Sequence, residues 1–474
     1  MTQSQAPGAT PPLNQDPNDS TLYKKREKIY PREVTGVFAN LRNLTVVVLL
    51  GIYYGLPWIN LGGQQALLLD LPARKFHLFG LTLWPQDLIY LSALLIIAAL
   101  SLFFFTALAG RLWCGYACPQ TVWTEVFIII ERWIEGGRQQ QMKLDKEPRP
   151  GRRLRLRAMK QTAWILFSLW TGFTFVGYFT PIRELSHNVL AWNLGPWETF
   201  WIFFYSFATW GNAGMLREQV CIYMCPYARF QSAMFDRDTL LIAYDTARGE
   251  PRGQRKRGVD ARSAGLGDCI DCGLCVQACP TGIDIRNGLQ YQCIGCAACI
   301  DVCNEVMEKV GSPKGLVRYT TERALEGGKT HVLRPRIMVY AGGLLFLFLA
   351  LGIALANRTP IELDILRDRN ALFNETNEGW IENVYTLKLI NMIDAPRTFR
   401  VSASGVPGLK LVSKEGTELK VDGGGVRAVA VSLQADPAEL KATSTKIELT
   451  MEAIEEPGVR LTRVGRFLGP PPAR

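Results

Sequence analysis

Five stretches of this chain carry no Asp, Glu, Lys or Arg: residues 44–61, 88–110, 163–180, 199–216 and 337–357. Each is long enough to cross the hydrocarbon layer of a bilayer, about 30 Å thick. Burying five such runs inside a soluble protein, between strongly charged connections, would demand a core far too large for 474 residues. The expected architecture is therefore a multi-domain membrane protein built on a five-helix α transmembrane bundle. The first stretch is the most interrupted, by Gly51, Gly55 and Pro57.

Charge sets the orientation. Residues 138–160 carry nine Lys or Arg against Asp145 and Glu147, and residues 237–262 carry seven against four acids, so both segments should face the cytoplasm. Five spans then put the N-terminus inside, the connections at 62–87 and 181–198 outside, and the C-terminus outside. Residues 1–40 are polar and Pro-rich, include Lys24, Lys25, Arg26, Lys28 and Arg32, and read as a disordered basic cytoplasmic tail. They show no apolar h-region or cleavage site, so the first span is expected to stay as an anchor. The net charge of +10 comes with no nucleic-acid recognition motif; basic loops touching anionic lipid explain it, and no nucleic acid is expected as a partner.

The remaining segments divide by pattern. Residues 41–240 hold the first four spans, 241–334 a cysteine-rich cytoplasmic domain entered through a flexible basic linker at 249–267, and 335–357 the fifth span. VWTEVFIIIERWIEGG, from Val122, reads as an amphipathic helix on the cytoplasmic face. In residues 358–474, VYTLKLINM, FRVSAS, LKLVS, LKVDG, RAVAVSLQA and TKIELTMEAI alternate polar and apolar residues between Gly- and Pro-containing turns. That pattern predicts an antiparallel β-sandwich of about a hundred residues outside the membrane.

All twelve cysteines lie between Cys114 and Cys303, at or beyond the predicted cytoplasmic face, which argues against a disulfide framework. Eight of them form CIDCGLCVQACP from Cys269 and CIGCAACIDVC from Cys293. This is C-x-x-C-x-x-C-x-x-x-C-P twice, except that Asn304 replaces the second proline. Three thiolates two residues apart can wrap part of a cubane while the fourth cysteine of each run reaches the other cluster. The spacing assigns one 4Fe-4S cluster to Cys269, Cys272, Cys275 and Cys303, and the other to Cys293, Cys296, Cys299 and Cys279. Zinc motifs pair cysteines two at a time and do not need this exchanged fourth ligand. Gly273, Gly295, Ala297 and Ala298 are small enough to let backbone amides approach the sulfurs.

Two further pairs stand in RLWCGYACPQTVW and CIYMCPYARFQ: Cys114 with Cys118, and Cys221 with Cys225. Both follow spans predicted to run from outside to inside. Proline after the second cysteine suits Cys118 and Cys225 to helix N-caps, with Pro119 and Pro226 at the first helical position. A helix N-terminus, helped by Arg111, Arg217 and Arg229, would favour the thiolates. Buried structural cysteines are the plain alternative; the chemical reading is a four-thiolate catalytic metal site, whose soft donors suit Cu(I), zinc or an additional redox centre. The three histidines give it no ligand: His77 and His187 fall outside and His331 lies near the fifth span. A metal or haem at the two outer histidines is the weaker expectation, and no C-x-x-C-H is present to attach a c-type haem.

The array resembles a bacterial two-cluster ferredoxin. Together, WCGYACPQTVW, CIYMCPYARFQSAMFD, the eight-cysteine array and the order of spans resemble the CcoG/FixG/RdxA family of membrane-bound cytochrome c oxidase accessory proteins. The resemblance covers most of the chain. It implies a C-terminal sandwich of immunoglobulin type in the periplasm, residence in the bacterial inner membrane, and a role in maturing the copper-containing cbb-type oxidase with its assembly machinery. The activity it implies is reduction of Cu(II) to Cu(I), with electrons from an unknown donor. Two other readings stay open, an electron-transfer subunit for a quinone-linked respiratory complex and a structural assembly factor without turnover.

Overall fold

The computed structural model describes residues 28–148, 150–255, 265–368, 371–393, 395–456 and 458–471. Helices form on all five apolar stretches, but only three, Val37–Trp58, Pro85–Ala109 and Pro335–Ala356, are long and apolar enough to cross a bilayer. The stretch most interrupted by Gly and Pro is among these three. It holds because the helix starts at Val37, earlier than the composition of the tail indicates, and a 3-10 turn over Leu56–Trp58 extends it.

The third and fourth stretches are not among these candidate spans, so a five-helix bundle is not confirmed. The Pro150–Val176 helix spends its first half on basic residues, and the chain turns at Gly177, so of the uncharged stretch only residues 163–176 lie within the helix. The Pro196–Thr209 helix is 14 residues long and continues as a wider π-helical run, Trp210–Leu216. These two helices pack on each other, as do Leu88–Ala109 and Pro335–Ala356, while Leu345, Phe346, Leu349 and Ile353 stay exposed as a lipid-facing surface requires.

At one end of the helices, residues 62–87 form more than a turn. Leu67–Asp70, Lys75–Leu78 and Leu81–Leu83 make a three-stranded antiparallel sheet, on which the C-terminal domain sits. Arg358 donates to Asp87 at 3.0 and 2.5 Å, Lys75 to the Gly424 carbonyl at 2.6 Å, and Trp84 packs with Ile390 and Met392. That domain is the expected sandwich. One sheet has the strand order Lys410–Val412, Val426–Ala435, Ile381–Asn391, Ile361–Arg367; the other has Glu418–Val421, Arg397–Ser404, Ser444–Ala453, Arg460–Leu468. Alternate residues of Ile381–Asn391 are buried, and Tyr385, Leu387 and Leu389 meet Phe399, Ile447 and Phe467 across the core. The strands at Ile361–Arg367 and Arg460–Leu468 escaped the sequence pattern because IELDILR directly follows the last span and RLTRVGRFL alternates weakly.

The eight-cysteine segment lies at the opposite end, and it is not a loosely linked domain. Asp301, buried in the Ala298–Lys309 helix, accepts the first-turn N–H groups of Phe38 and Ala39 at 3.3 and 2.7 Å, capping the first span. Arg32 N–H donates to the Gln277 carbonyl at 2.8 Å, and Lys28 and Tyr30 both reach Asp145. The described part of the tail is thus fastened down. So are the described ends of the basic linker: Gly253 donates to the Cys269 carbonyl, Gly267 to that of Pro251, and Arg248 pairs with Asp268. Residues 1–27 and 256–264 lie outside the described residues.

The amphipathic segment becomes the Pro119–Glu135 helix with its acids turned inward. Glu131 and Glu135 are buried against Lys160, at 3.0 and 2.7 Å, and Arg217 reaches Glu131 at 2.7 Å, while Trp133 points outward. Burial pushes the Glu131 carboxyl up, but Arg217 and Lys160 outweigh it and hold the carboxyl below its usual value.

Candidate functional site

The two halves of the array build the same backbone twice. Asp271 and Gly273 flank Cys272, as Gly295 and Ala297 flank Cys296, and all four flanking residues have positive φ, between 53° and 71°. Each pair reverses the chain so that a helix, Leu274–Ala278 or Ala298–Lys309, starts with N–H groups facing the cysteines. The halves then diverge for a reason visible in the sequence. Pro280 stops the first helix, whereas Asn304 lets the second continue to Lys309, its side chain accepting the Gly315 N–H at 2.8 Å.

This folding gathers the cysteines into two adjoining cavities. Cys269, Cys272, Cys275 and Cys303 stand on the wall of one. The other is lined by Cys279, Cys293, Cys296 and Cys299, with Cys275 shared between the two. Backbone N–H groups of Val276, Gly295, Ala298 and Val317 are directed at Cys275, Cys293, Cys296 and Cys303. Burial pushes these four thiols above their usual value; Cys275 rises to about 11, and Cys293 and Cys303 to about 12. Among the described residues no three Cys, His, Asp or Glu groups are placed to hold a single ion. Four thiols spread around a cavity, with amides aimed at the sulfurs, instead fit the larger iron–sulfur cubane. Cys272 is exposed, so the first cavity lies nearer the surface.

The membrane-edge pairs come together beside the second cavity. Cys118 and Cys225 occupy N-caps, with Pro119 and Pro226 opening the helices Pro119–Glu135 and Pro226–Met234. Cys114 lies in the short Leu112–Tyr116 helix and Cys221 in the π-helical run Val220–Met224. All four thiols are close enough to interact electrostatically. The expected thiolate bias is overridden at Cys118. Burial pushes Cys114 to about 12 and Cys221 to about 11, and it raises Cys118 although the N–H groups of Gln120 and Thr121 pull the other way. Of the three arginines expected to help, Arg111 lies among the thiols, Arg217 is engaged by Glu131, and the Arg229 side chain is outside the described residues.

Two glutamines missing from the sequence reading tie this region together. Gln120 donates to the Asn212 and Arg217 carbonyls at 2.9 and 3.1 Å, joining the Cys118 helix to the π-helical chain that leads to Cys221. Gln231 meets Cys114 Sγ at 3.3 Å. Their only sequence signal is a polar amide within each C-P-containing motif. The histidines play no part: His77 is buried against Thr82 at 3.0 Å, His187 is exposed, and His331 is exposed with its N–H on Asp238.

The membrane edge and the array approach so closely that backbone meets backbone at Gly115 and Gly295. A Cβ on Gly115 would lie 2.7 Å from the Gly295 carbonyl oxygen, and one on Gly295, at φ +71°, would lie 3.0 Å from that of Arg111. Arg111 donates to the carbonyls of Tyr291, Cys293 and Ala228. Cys221 and Cys296 also share the wall of a cleft with about 580 Å³ of empty space, together with Arg42, Glu125, Arg217 and Glu218.

Three family models match the chain. Residues 216–322 match a 4Fe-4S dicluster domain, residues 91–135 a 4Fe-4S binding domain, and residues 351–470 the Ig-like fold at the C-terminus of FixG. RdxB of Cereibacter sphaeroides is 42% identical over 411 residues, covering 84% of this chain and 86% of RdxB. The nitrogen fixation protein FixG of Rhizobium meliloti is 36% identical over 468 residues, covering 91% of this chain and 87% of FixG. RdxA of Cereibacter sphaeroides is 38% identical over 453 residues, covering 90% and 94%. A membrane protein with three candidate spanning helices, a 4Fe-4S dicluster domain and this Ig-like domain, the chain belongs to the FixG/RdxA family of iron–sulfur electron-transfer proteins.

Proposed function

We propose that this protein passes electrons to Cu(II) held at the membrane edge, releasing Cu(I) for assembly of a cbb-type cytochrome oxidase. Cys269, Cys272, Cys275 and Cys303 would hold one 4Fe-4S cluster, and Cys279, Cys293, Cys296 and Cys299 the other. When bound, such clusters supply electrons one at a time, which is what converting Cu(II) to Cu(I) consumes. Cys114, Cys118, Cys221 and Cys225, which are not already gathered tightly enough to hold an ion, would draw together around the substrate and, as soft donors, favour Cu(I) over Cu(II). The observation that carries this reading is the backbone contact of Gly115 with Gly295, which brings the Cys114 motif against the loop between Cys293 and Cys296. The cleft past Glu125 and Glu218 gives a small ion a route to Cys221. Arg152, Arg153, Arg155 and Arg157, at the array end, support a cytoplasmic array and a periplasmic sandwich.

A second reading draws on the 4Fe-4S binding model over residues 91–135, which includes Cys114 and Cys118: the membrane-edge thiols would hold a further iron–sulfur centre. One experiment separates the two. The purified protein is analysed for iron, reduced, and followed by visible absorption as Cu(II) is added. The copper reading expects about eight irons and Cu(II)-driven reoxidation, lost in Cys114→Ser/Cys225→Ser with the iron unchanged. About twelve irons, falling in that variant, would establish the further centre. No reoxidation by Cu(II) would end the reductase reading.

A further inference from the structure

We infer that Arg111 is a positioning residue: its buried guanidinium fixes the Cys293 loop against the membrane edge and raises the reduction potential of the iron–sulfur group held by the second quartet. This deepens the proposed function and rests on its assignment of clusters to the two quartets.

Arg111 follows the second candidate span and is 6% exposed. Its Nη1 donates to the carbonyls of Tyr291 and Cys293, the latter at 3.2 Å, while Nη2 donates to that of Ala228 in the helix after Cys225. One side chain therefore joins three segments: the start of the Cys114 motif, the loop carrying Cys293 and the Pro226–Met234 helix. The backbone is just as close, because the Gly295 α-carbon faces the Arg111 carbonyl. Cys114, Cys293, Cys221 and Cys225 all lie within electrostatic reach of the guanidinium. It is thus a cation shared by the second quartet and the membrane-edge thiols.

Reducing an iron–sulfur cluster adds one negative charge. A fixed cation in a buried setting stabilises that reduced state, as do hydrogen-bond donors near the sulfurs. The first quartet has a different electrostatic setting, since Arg286, near Cys275, is paired with Asp284 at 2.7 Å and Asp271 at 2.5 Å. The sequence therefore makes chemically distinct sites from two nearly identical cysteine runs, and the one beside the membrane edge is tuned by a residue outside the array.

Redox titration of the purified protein, read by electron paramagnetic resonance, tests this with no copper present. Arg111→Gln should lower one of two midpoint potentials and leave the other in place, at unchanged iron content. Arg111→Lys keeps the charge but not the planar fork that reaches three carbonyls, so it should restore much of the lost potential. A purely structural role would give equal defects in both variants and overturn the proposal, as would two unmoved potentials in Arg111→Gln at full iron. If Arg111→Gln loses iron, Gly115→Ala decides. It should push the Cys293 loop away and lower the same potential, and unmoved potentials there would overturn the inference. Wild-type protein with fewer than about eight irons would instead sink the two-cluster assignment itself.

Discussion

The eight-cysteine array and the four membrane-edge thiols solve one problem, gathering sulfur ligands, in opposite ways. In the array, spacing does most of the work: positive-φ residues at 271, 273, 295 and 297 turn short runs inward, the fourth cysteine of each run crosses to the other cavity, and Cys275 lies between the two. At the membrane edge, two motifs far apart in the chain meet only because helices pack, Gln120 bridges them and Arg111 anchors them to the array. Local encoding makes a site that short motifs reveal. Tertiary encoding makes one that depends on its scaffold, so the two regions should break differently.

The largest effect is expected inside the array. Cys303→Ser removes the thiol that the second run contributes to the first cavity. Iron should fall from about eight to about four per chain, measured on purified protein, with the signal of the second cluster retained. Loss of that second signal instead would mean that the fourth cysteines are not exchanged, and the local rule would be wrong.

This contrast also explains what was legible in the sequence. Spacing alone grouped Cys269, Cys272, Cys275 and Cys303 apart from the other four, and a cavity lies beside each proposed quartet, with Cys275 on the wall of both. Alternation revealed six strands of the sandwich, and Pro119 and Pro226 marked two helix starts. What stayed hidden depends on partners remote in sequence. Glu131 and Glu135 read as the polar face of an interfacial helix because Lys160 and Arg217, which neutralise them in the interior, follow later in the chain. The thiolate bias at Cys118 failed similarly: the helix end was visible, but the burial that outweighs it was not. Apolar length alone also could not show that the third stretch turns at Gly177 or that the fourth widens into a π-helix.

A smaller effect is expected in the membrane-edge scaffold. Glu131→Gln leaves Lys160 and Arg217 short of one negative charge in a buried network, and breaking such a pair costs about 3–5 kcal/mol. Heating should disorder the membrane-edge helices at lower temperature, while iron content stays at the wild-type level. The pH dependence has a definite sign. Because the Glu131 carboxyl is held below its ordinary value, its contribution is complete above the usual glutamate range and disappears as pH falls through the lowered value. The stability gap between wild type and variant should therefore close on acidification. A gap independent of pH would mean that Glu131 acts by packing rather than by charge.

The smallest effect tests the joint between the two regions. Asp301 belongs to the array by sequence, two residues before Cys303, but its carboxylate caps the first span through Phe38 and Ala39. A cap of this kind contributes about 1 kcal/mol, so Asp301→Ala should lower the thermal midpoint modestly, and Asp301→Asn, which keeps an acceptor, by less. Iron content should not change in either variant, because no thiol is touched. If Asp301→Ala instead released iron, the local geometry of the array would itself depend on its attachment to the first span. The line between locally and tertiarily encoded sites would then have to be drawn inside the array.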